Sequence, residues 1–135
     1  MAMHKFTVAF CVAVCPALAV AQGAIQYQRG DDNQAELQQL GGIGNISQQY
    51  QDGTGNRNQV NVVQIYYDAE LTISQIGDDN SIQTEQYDLH TKAAAINQIG
   101  DFNHAVLGQT AGFTSNQVAT ITQQGNGNRA TALQQ

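Results

Sequence analysis

Residues 98–109 read QIGDFNHAVLGQ, and this segment contains a pattern of spaced residue types that recurs along the chain. Written out, the pattern is Gln-x-Gly-x-x-Asn-x-small-x-x-x-Gln. In this copy it consists of Gln98, Gly100, Asn103, Ala105 and Gln109. Because Gly and Asn favour turns, the copy predicts two segments joined by a tight turn.

Three further copies keep this spacing without a gap. They consist of Gln28, Gly30, Asn33, Ala35 and Gln39; of Gln75, Gly77, Asn80, Ile82 and Gln86; and of Gln123, Gly125, Asn128, Ala130 and Gln134. An imperfect copy starts with Gln51, Gly53 and Asn56. The leading glutamines are 23, 24, 23 and 25 residues apart. A fixed period of roughly 20–50 residues is typical of a solenoid or stacked array.

The first 21 residues have the features of a secretory signal peptide. Lys5 supplies a positive charge, an apolar segment follows up to Val14, and residues 19–21 have the small-x-small pattern of a cleavage site. The sequence therefore predicts cleavage between Ala21 and Gln22 and export of the rest of the chain. A buried N-terminal strand or helix is the alternative.

The composition narrows the possible functions. Both cysteines, Cys11 and Cys15, lie in the predicted signal peptide, so the mature chain would have no disulfide, thiolate metal site or cysteine nucleophile. Without Lys5 the chain has 4 basic residues (5 − 1) against 11 acidic ones, a net charge of −7 (4 − 11). This acidic balance argues against nucleic-acid binding. Large aliphatic residues are sparse, so a conventional hydrophobic core would be thin.

Each repeat reads as strand, turn, strand and second turn. In the third copy Leu71, Ile73 and Gln75 alternate with polar residues, which is typical of a half-buried strand. The same alternation of inward and outward residues recurs after the turn and in the other copies. A glutamine ends each strand. The sequence predicts an all-β solenoid of five strand-turn-strand repeats stacked in cross-β fashion. The repeats are predicted at about 22–44, 45–68, 69–91, 92–116 and 117–135.

The second copy allows two alignments of its return strand. By strict spacing Asn58 takes the small-residue position and Val62 the glutamine position. A two-residue insertion within 52–58 would instead place Val60 and Gln64 there. Both alignments keep the same face inward, because side chains alternate with a period of two.

The recurring amides predict side-chain ladders. A buried glutamine destabilises the fold unless its amide is hydrogen-bonded, and stacked rungs place identical amides above one another, where they can pair. The turn asparagines are expected to form a similar ladder or to close the turn through their own backbone. The turn glycines supply backbone freedom. A disordered Asn/Gln-rich tract is the alternative.

At this level of detail the repeat resembles the curlin repeat of bacterial curli subunits over residues 22–135. The leading Ser/Asn of that repeat is matched by Asn45 and replaced in the other copies, by Gln22, Ala69, Lys92 and Gln117. The resemblance implies a secreted subunit that polymerises into surface amyloid fibres acting in biofilm, adhesion and colonisation. It also implies partners: other copies of the chain, a second curli subunit as nucleator or co-subunit, and the curli outer-membrane channel with its accessory proteins. The regular last copy favours the fibre-forming subunit over the nucleator.

The physics of the stack also favours polymerisation. A solenoid exposes an unpaired strand edge at each end, and such edges template further pairing. Soluble solenoids usually carry polar capping repeats, and no copy here has that character. Acidic turn residues, including Asp78, Asp79 and Asp101, would slow premature aggregation or would simply be solvated.

Other functions find less support in the sequence. Calcium-binding β-rolls have a nine-residue repeat, which this chain lacks. His90 and His104 are expected at the surface, so we predict no enzymatic activity, metal site or cofactor. The alternative function is a monomeric secreted solenoid that binds a repetitive surface such as polysaccharide or ice.

Overall fold

The computed structural model describes residues 23–40, 44–66, 68–88, 91–110 and 116–135. These residues form ten strands, and none of them lies in a helix. The strands are β1 Gly23–Asp31, β2 Gln34–Leu40, β3 Ile46–Asn56, β4 Gln59–Tyr66, β5 Ala69–Ile76, β6 Ser81–Asp88, β7 Lys92–Ile99, β8 His104–Gln109, β9 Gln117–Gln124 and β10 Arg129–Gln134.

The strands form two parallel five-stranded sheets. Sheet A has the order β1-β3-β5-β7-β9, and sheet B has the order β2-β4-β6-β8-β10. Each repeat therefore contributes one strand to each sheet, and we call these two strands a rung, numbered 1 to 5 along the chain. Successive rungs pair in parallel, for example Gln75 with Gln98 and Gln86 with Gln109. The predicted all-β solenoid of stacked repeats is confirmed.

The core lies between the sheets and is built from the alternate residues that the sequence pattern places inward. Its centre is most apolar in rungs 3 and 4, where Leu71, Ile73, Ile82, Ile96 and Leu107 are almost fully buried. Two aliphatic positions per strand suffice to exclude water because each side chain is also covered by the rungs above and below.

Sheet A has a more polar inner face in rungs 1 and 2. The positions that hold Leu71 and Ile73 in rung 3 hold Ser47 and Gln49 in rung 2. Gln49 donates a hydrogen bond to the Ser47 hydroxyl at 3.2 Å and accepts one from Gln26 at 3.4 Å. The polar groups are thus hydrogen-bonded, but this part of the core buries less apolar surface.

The turn that joins the two strands of a rung requires glycine for two reasons. Gly77 and Gly100 have φ of 113° and 110°, a region that side chains with a Cβ disfavour. A Cβ at Gly77 would also collide with the carbonyl oxygen of Gly100 in the next rung. At Gly30 and Gly125 φ is also positive, at 111° and 96°.

The second rung resolves the ambiguity left by its sequence. Sheet B pairs Ala35 with Val60 and Gln39 with Gln64, so the two-residue insertion is correct and Gln64 takes the glutamine position. Strand β3 continues to Asn56, and Arg57 adopts the positive φ of 75°. Gly53 lies within the range of β3, but the N–H of Gly77 donates to the carbonyl oxygen of Asp52 at 3.1 Å, as that of Gly100 donates to Ile76 at 2.9 Å. Gly53 therefore follows the residue that aligns with Ile76, and its role as a turn glycine stays a prediction.

Several predictions concern residues that lie outside the described ranges. These include the signal peptide, its cleavage between Ala21 and Gln22, and His90. Among the described residues, no helix is long and apolar enough to cross a membrane.

We predict that Ile73→Ala lowers the free energy of unfolding by about 2–5 kcal/mol, since it leaves a cavity between fully covered rungs. The neighbouring Thr72→Ala, on the exposed side of β5, should change it by less than about 0.5 kcal/mol. Denaturant unfolding of the dilute protein followed by circular dichroism measures both. Equal losses in the two variants would contradict the assigned inward face.

Candidate assembly interface at the glutamine ladders and open ends

A continuous ladder of glutamine amides runs through sheet A. Each side-chain Nε2 donates to the Oε1 of the glutamine in the next rung, at 2.6, 2.9, 2.9 and 2.7 Å. The ladder consists, in order, of Gln28, Gln51, Gln75, Gln98 and Gln123. The three central amides are completely buried. The structure thus brings together all five leading glutamines that the repeat singled out.

A second ladder runs through sheet B with the same direction of donation. Its four bonds measure 2.8, 2.9, 2.8 and 2.8 Å. It consists of Gln39, Gln64, Gln86, Gln109 and Gln134. Gln64 was absent from the predicted ladder residues and completes it. The alignment with a two-residue insertion in the turn of the second copy places Gln64 at this position.

The second amide proton of each buried glutamine ties the two sheets together. Gln75 Nε2 donates to the carbonyl oxygen of Gln59 at 3.3 Å, and Gln98 Nε2 donates to that of Ser81 at 3.3 Å. In the other sheet Gln86 Nε2 donates to the carbonyl oxygen of Glu70 at 3.3 Å. One glutamine therefore stabilises both the stacking of rungs and the spacing of sheets. The sequence pattern gave no indication of this second role.

The turn asparagines form a third column, in which the bonds join a side chain of one rung to the backbone of another more often than two side chains. The Oδ1 of Asn80 accepts the backbone N–H of Asn103 at 3.0 Å, and the Oδ1 of Asn103 accepts that of Asn128 at 3.0 Å. Lower in the stack, the Oδ1 of Asn33 accepts the N–H of Asn58 at 3.1 Å. Both expected modes occur, because Asn33 Nδ2 also closes its own turn through the carbonyl oxygen of Arg29 at 2.8 Å.

Asn58, and not Asn56, occupies this column in rung 2. The backbone N–H of Asn80 donates to Asn58 Oδ1 at 3.0 Å, and Asn58 Nδ2 donates to the carbonyl oxygen of Gly77. The prediction of Asn56 as a ladder residue is wrong, because the turn of this rung carries two extra residues and Asn58 takes the column. The side chain of Asn56 lies outside the described part of the structure.

The turn of rung 2, between β3 and β4, carries a charged residue. Arg57 makes a two-point contact with Asp79 of the next rung, through Nε at 2.7 Å and Nη2 at 2.9 Å. The hydrogen bond with Asp79 and the charges of Asp79 and Asp32 raise the pKa of Arg57, which stays protonated. On sheet A, the Tyr50 hydroxyl donates to Asp52 at 2.9 Å, and this bond raises the pKa of Tyr50 above its usual value. These contacts are exposed, so their contribution to stability is small.

The two ends of the solenoid differ because every ladder bond points the same way. At the first rung, the Oε1 atoms of Gln28 and Gln39 accept no bond from any described side chain, and β1 and β2 are sheet edges. At the last rung, the amide groups of Gln123 and Gln134 have no following glutamine to receive their outward N–H, and β9 and β10 are edges. One end therefore presents acceptors and the other presents donors.

The last turn also differs from the interior turns. Asn80 Nδ2 donates to the carbonyl oxygen of Gly100 in the following rung at 2.8 Å. Asn128 has no following rung, and its Nδ2 donates to the carbonyl oxygen of Gln124 and to Asn103 Oδ1, both at 3.0 Å. Beneath it, the Nδ2 of the buried Asn103 has no hydrogen-bond partner in the described structure. The asparagines of the last two rungs therefore lack the bond to a following turn that Asn80 makes.

Other chemistry has little basis in the described residues. No group of three or more His, Cys, Asp or Glu side chains is close enough there to hold a metal ion. His104 stands half-buried at the start of β8 between Ser81 and Arg129 of the neighbouring strands. The repeated polar features of the described chain are the amide columns and the edges they reach.

Comparisons with known proteins returned nothing for this chain: no family model, curated protein or solved structure matches it.

The ladder predicts a pH-dependent defect in Gln98→Glu. This change removes two N–H donors and buries a carboxylate, so it should lower the free energy of unfolding by about 3–5 kcal/mol at pH 7. Burial raises the pKa of the introduced carboxyl in the folded state above its unfolded value. The folded state then binds the proton more tightly, and the loss of stability relative to wild type should shrink as the pH falls.

Gln48→Glu is the matched control, since Gln48 lies on the exposed face of β3. Denaturant unfolding at several pH values between about 4 and 7, where a raised carboxyl pKa would fall, measures both variants. A pH-independent difference between Gln98→Glu and wild type would rule out a buried amide ladder.

Proposed function

We propose that this chain is a secreted structural subunit whose copies stack end to end into a curli-type amyloid fibre on the bacterial surface. The observation that carries the proposal is the complementarity of the two ends: acceptors at rung 1, donors at rung 5, and unpaired parallel edges on both. An open edge favours the addition of a further strand. Another copy of the same chain supplies a strand with the matching amide pattern.

The register of stacking follows from continuing the ladders. Gln123 Nε2 of one copy would donate to Gln28 Oε1 of the next, and Gln134 Nε2 would donate to Gln39 Oε1. Small residues meet at the same junction, because Ala119 and Ala24 occupy one inner column of sheet A. The junction would then repeat the arrangement found between interior rungs.

The terminal turn supports the same register. Between interior rungs, the N–H of Gly100 donates to the carbonyl oxygen of Ile76 at 2.9 Å, while Asn80 donates to the carbonyl oxygen of Gly100. By analogy, Gly30 of an added copy would donate to Gln124 and accept from Asn128. Stacking would thereby give Asn128 the bond to a following turn that Asn58 and Asn80 make.

The biological part of the proposal rests on the curlin-like repeat and the predicted signal peptide. The fibre would lie outside the cell and serve the biofilm matrix, adhesion and surface colonisation. Its partners would be further copies of the chain, a second curli subunit that nucleates or joins the fibre, and the curli secretion channel with its accessory proteins.

A monomeric solenoid that binds ice or polysaccharide is the weaker candidate. An ice-binding face would need a continuous outward row of threonines. On sheet A, Thr72 and Thr120 are separated by Ala95, and the column of Thr122 continues with Asn97 and Ser74. The described outward columns therefore lack the repetition that such a lattice would require.

The proposal predicts seeded growth. Residues 22–135, diluted from denaturant into neutral buffer, should form fibres after a lag, and preformed fibres should abolish that lag. Thioflavin T fluorescence and electron microscopy measure this. A lasting soluble monomer, even with the second repeat-bearing subunit added, would contradict a fibre function. A monomer with β-sheet circular dichroism would favour the binding solenoid.

The junction predicts a difference between two glycines of the last turn. In Gly125→Ala, the new Cβ should meet the carbonyl oxygen of Gly30 of the next copy, as a Cβ at Gly100 would meet Gly125. A clash of about 1–3 kcal/mol should slow seeded elongation about tenfold or more.

Gly127→Ala is the control for backbone strain. Gly127 also has a positive φ, of 70°, but a Cβ there meets nothing within 4 Å. Its column already holds residues with a Cβ in other rungs, such as Asp79 and Phe102. Elongation of Gly127→Ala should stay near the wild-type rate. Equal slowing of both variants would argue against this junction.

A further inference from the structure

The outward side of sheet A in rungs 3 to 5 is nearly free of charge. We call it the neutral face. Its central residues are small: Thr72, Ser74, Ala95, Asn97, Thr120 and Thr122. Ile76 and Ile99 border it and are 43% and 38% exposed. Glu70 is the one charged outward residue on the three strands that form it.

The rest of the described surface is different. In rungs 1 and 2, sheet A presents the stacked rings of Tyr27 and Tyr50, 5.0 Å apart, beside Arg29 and Asp52. The outward side of sheet B carries charged residues in several rungs: Glu36, Glu85 and Arg129. The neutral face is therefore a distinct patch on a chain whose net charge is −6.

We propose that the neutral face packs against the neutral face of a second copy in a neighbouring stack, so that fibres are paired stacks. This inference rests on the proposed end-to-end assembly. Net charge of one sign makes copies repel, and the repulsion is weakest where two uncharged faces meet. Flat sheets with small, repeated side chains can interdigitate about 10 Å apart, as in steric zippers.

The size of the face explains why pairing would follow stacking. Three rungs at about 4.8 Å and seven residues at about 3.3 Å give a patch of roughly 330 Å² per copy. A stable pair of single proteins typically buries about 800 Å² on each partner. Isolated copies should thus stay unpaired, whereas a stack of ten offers tenfold more area on one rigid body, and its contacts act together.

The test is the mass per unit length of fibres grown from the purified protein, measured by scanning transmission electron microscopy. Wild-type fibres should contain two copies per axial rise of about 24 Å, which is five strand spacings. Ala95→Lys places a charge at the centre of the neutral face and should halve this value. Its elongation from seeds should remain within about twofold of wild type, since the ends are unchanged.

Two matched controls separate pairing from general effects of a new charge. Gln83→Lys puts the same side chain on the exposed side of sheet B and should keep two copies per rise. Thr120→Lys and Thr131→Lys repeat the comparison in rung 5, on sheet A and sheet B respectively. They keep the test decisive if Ala95→Lys does not fold.

The outcomes distinguish the two proposals. Wild-type fibres with one copy per rise, or neutral-face variants that retain two, would overturn the pairing while leaving the fibre function in place. Single-copy fibres that bind insoluble cellulose through this face would assign it to polysaccharide and also overturn the pairing. The absence of any fibre would overturn the proposed function itself.

Discussion

A buried glutamine amide must satisfy two N–H donors and one carbonyl oxygen, and this demand is met only because the rungs stack at the strand spacing and the facing sheet lies within reach. Gln75 and Gln98 each use one N–H along the stack and the other across it. An amide left alone in the interior destabilises the protein, so every rung depends on the rungs beside it. A glutamine must therefore occur at the same position of every rung.

This dependence explains why the protein folds as a stack with a small aliphatic core. The aliphatic core cluster occupies two columns per sheet. Rungs 1 and 2 place Gln26, Ser47 and Gln49 where aliphatic residues could stand. Hydrogen bonding between rungs makes up for the missing apolar area. It also leaves the terminal amides of Gln28 and Gln123 without an outward glutamine partner, which links the stability of the fold to the chemistry of its ends.

The solenoid could be predicted from the sequence because period and parity are local properties: Leu71, Ile73 and Gln75 alone fix which face is inward. The choice between Asn56 and Asn58 for the asparagine column could not be made from the sequence, because a two-residue insertion keeps the same alternation of inward and outward residues. The bond from Gln98 to the Ser81 carbonyl oxygen depends on the distance between sheets, which no pattern encodes. The common direction of both ladders likewise emerged only from the geometry.

The most direct test of end-to-end continuity is the axial rise per copy in assembled fibres, determined by cryo-electron microscopy. Stacking without a gap predicts five strand spacings, about 24 Å, with Gln123 of one copy against Gln28 of the next and strands perpendicular to the fibre axis. A rise that is not five spacings, or a junction at which the two glutamine ladders are interrupted, would contradict the idea that copies extend the same ladders that hold each one together.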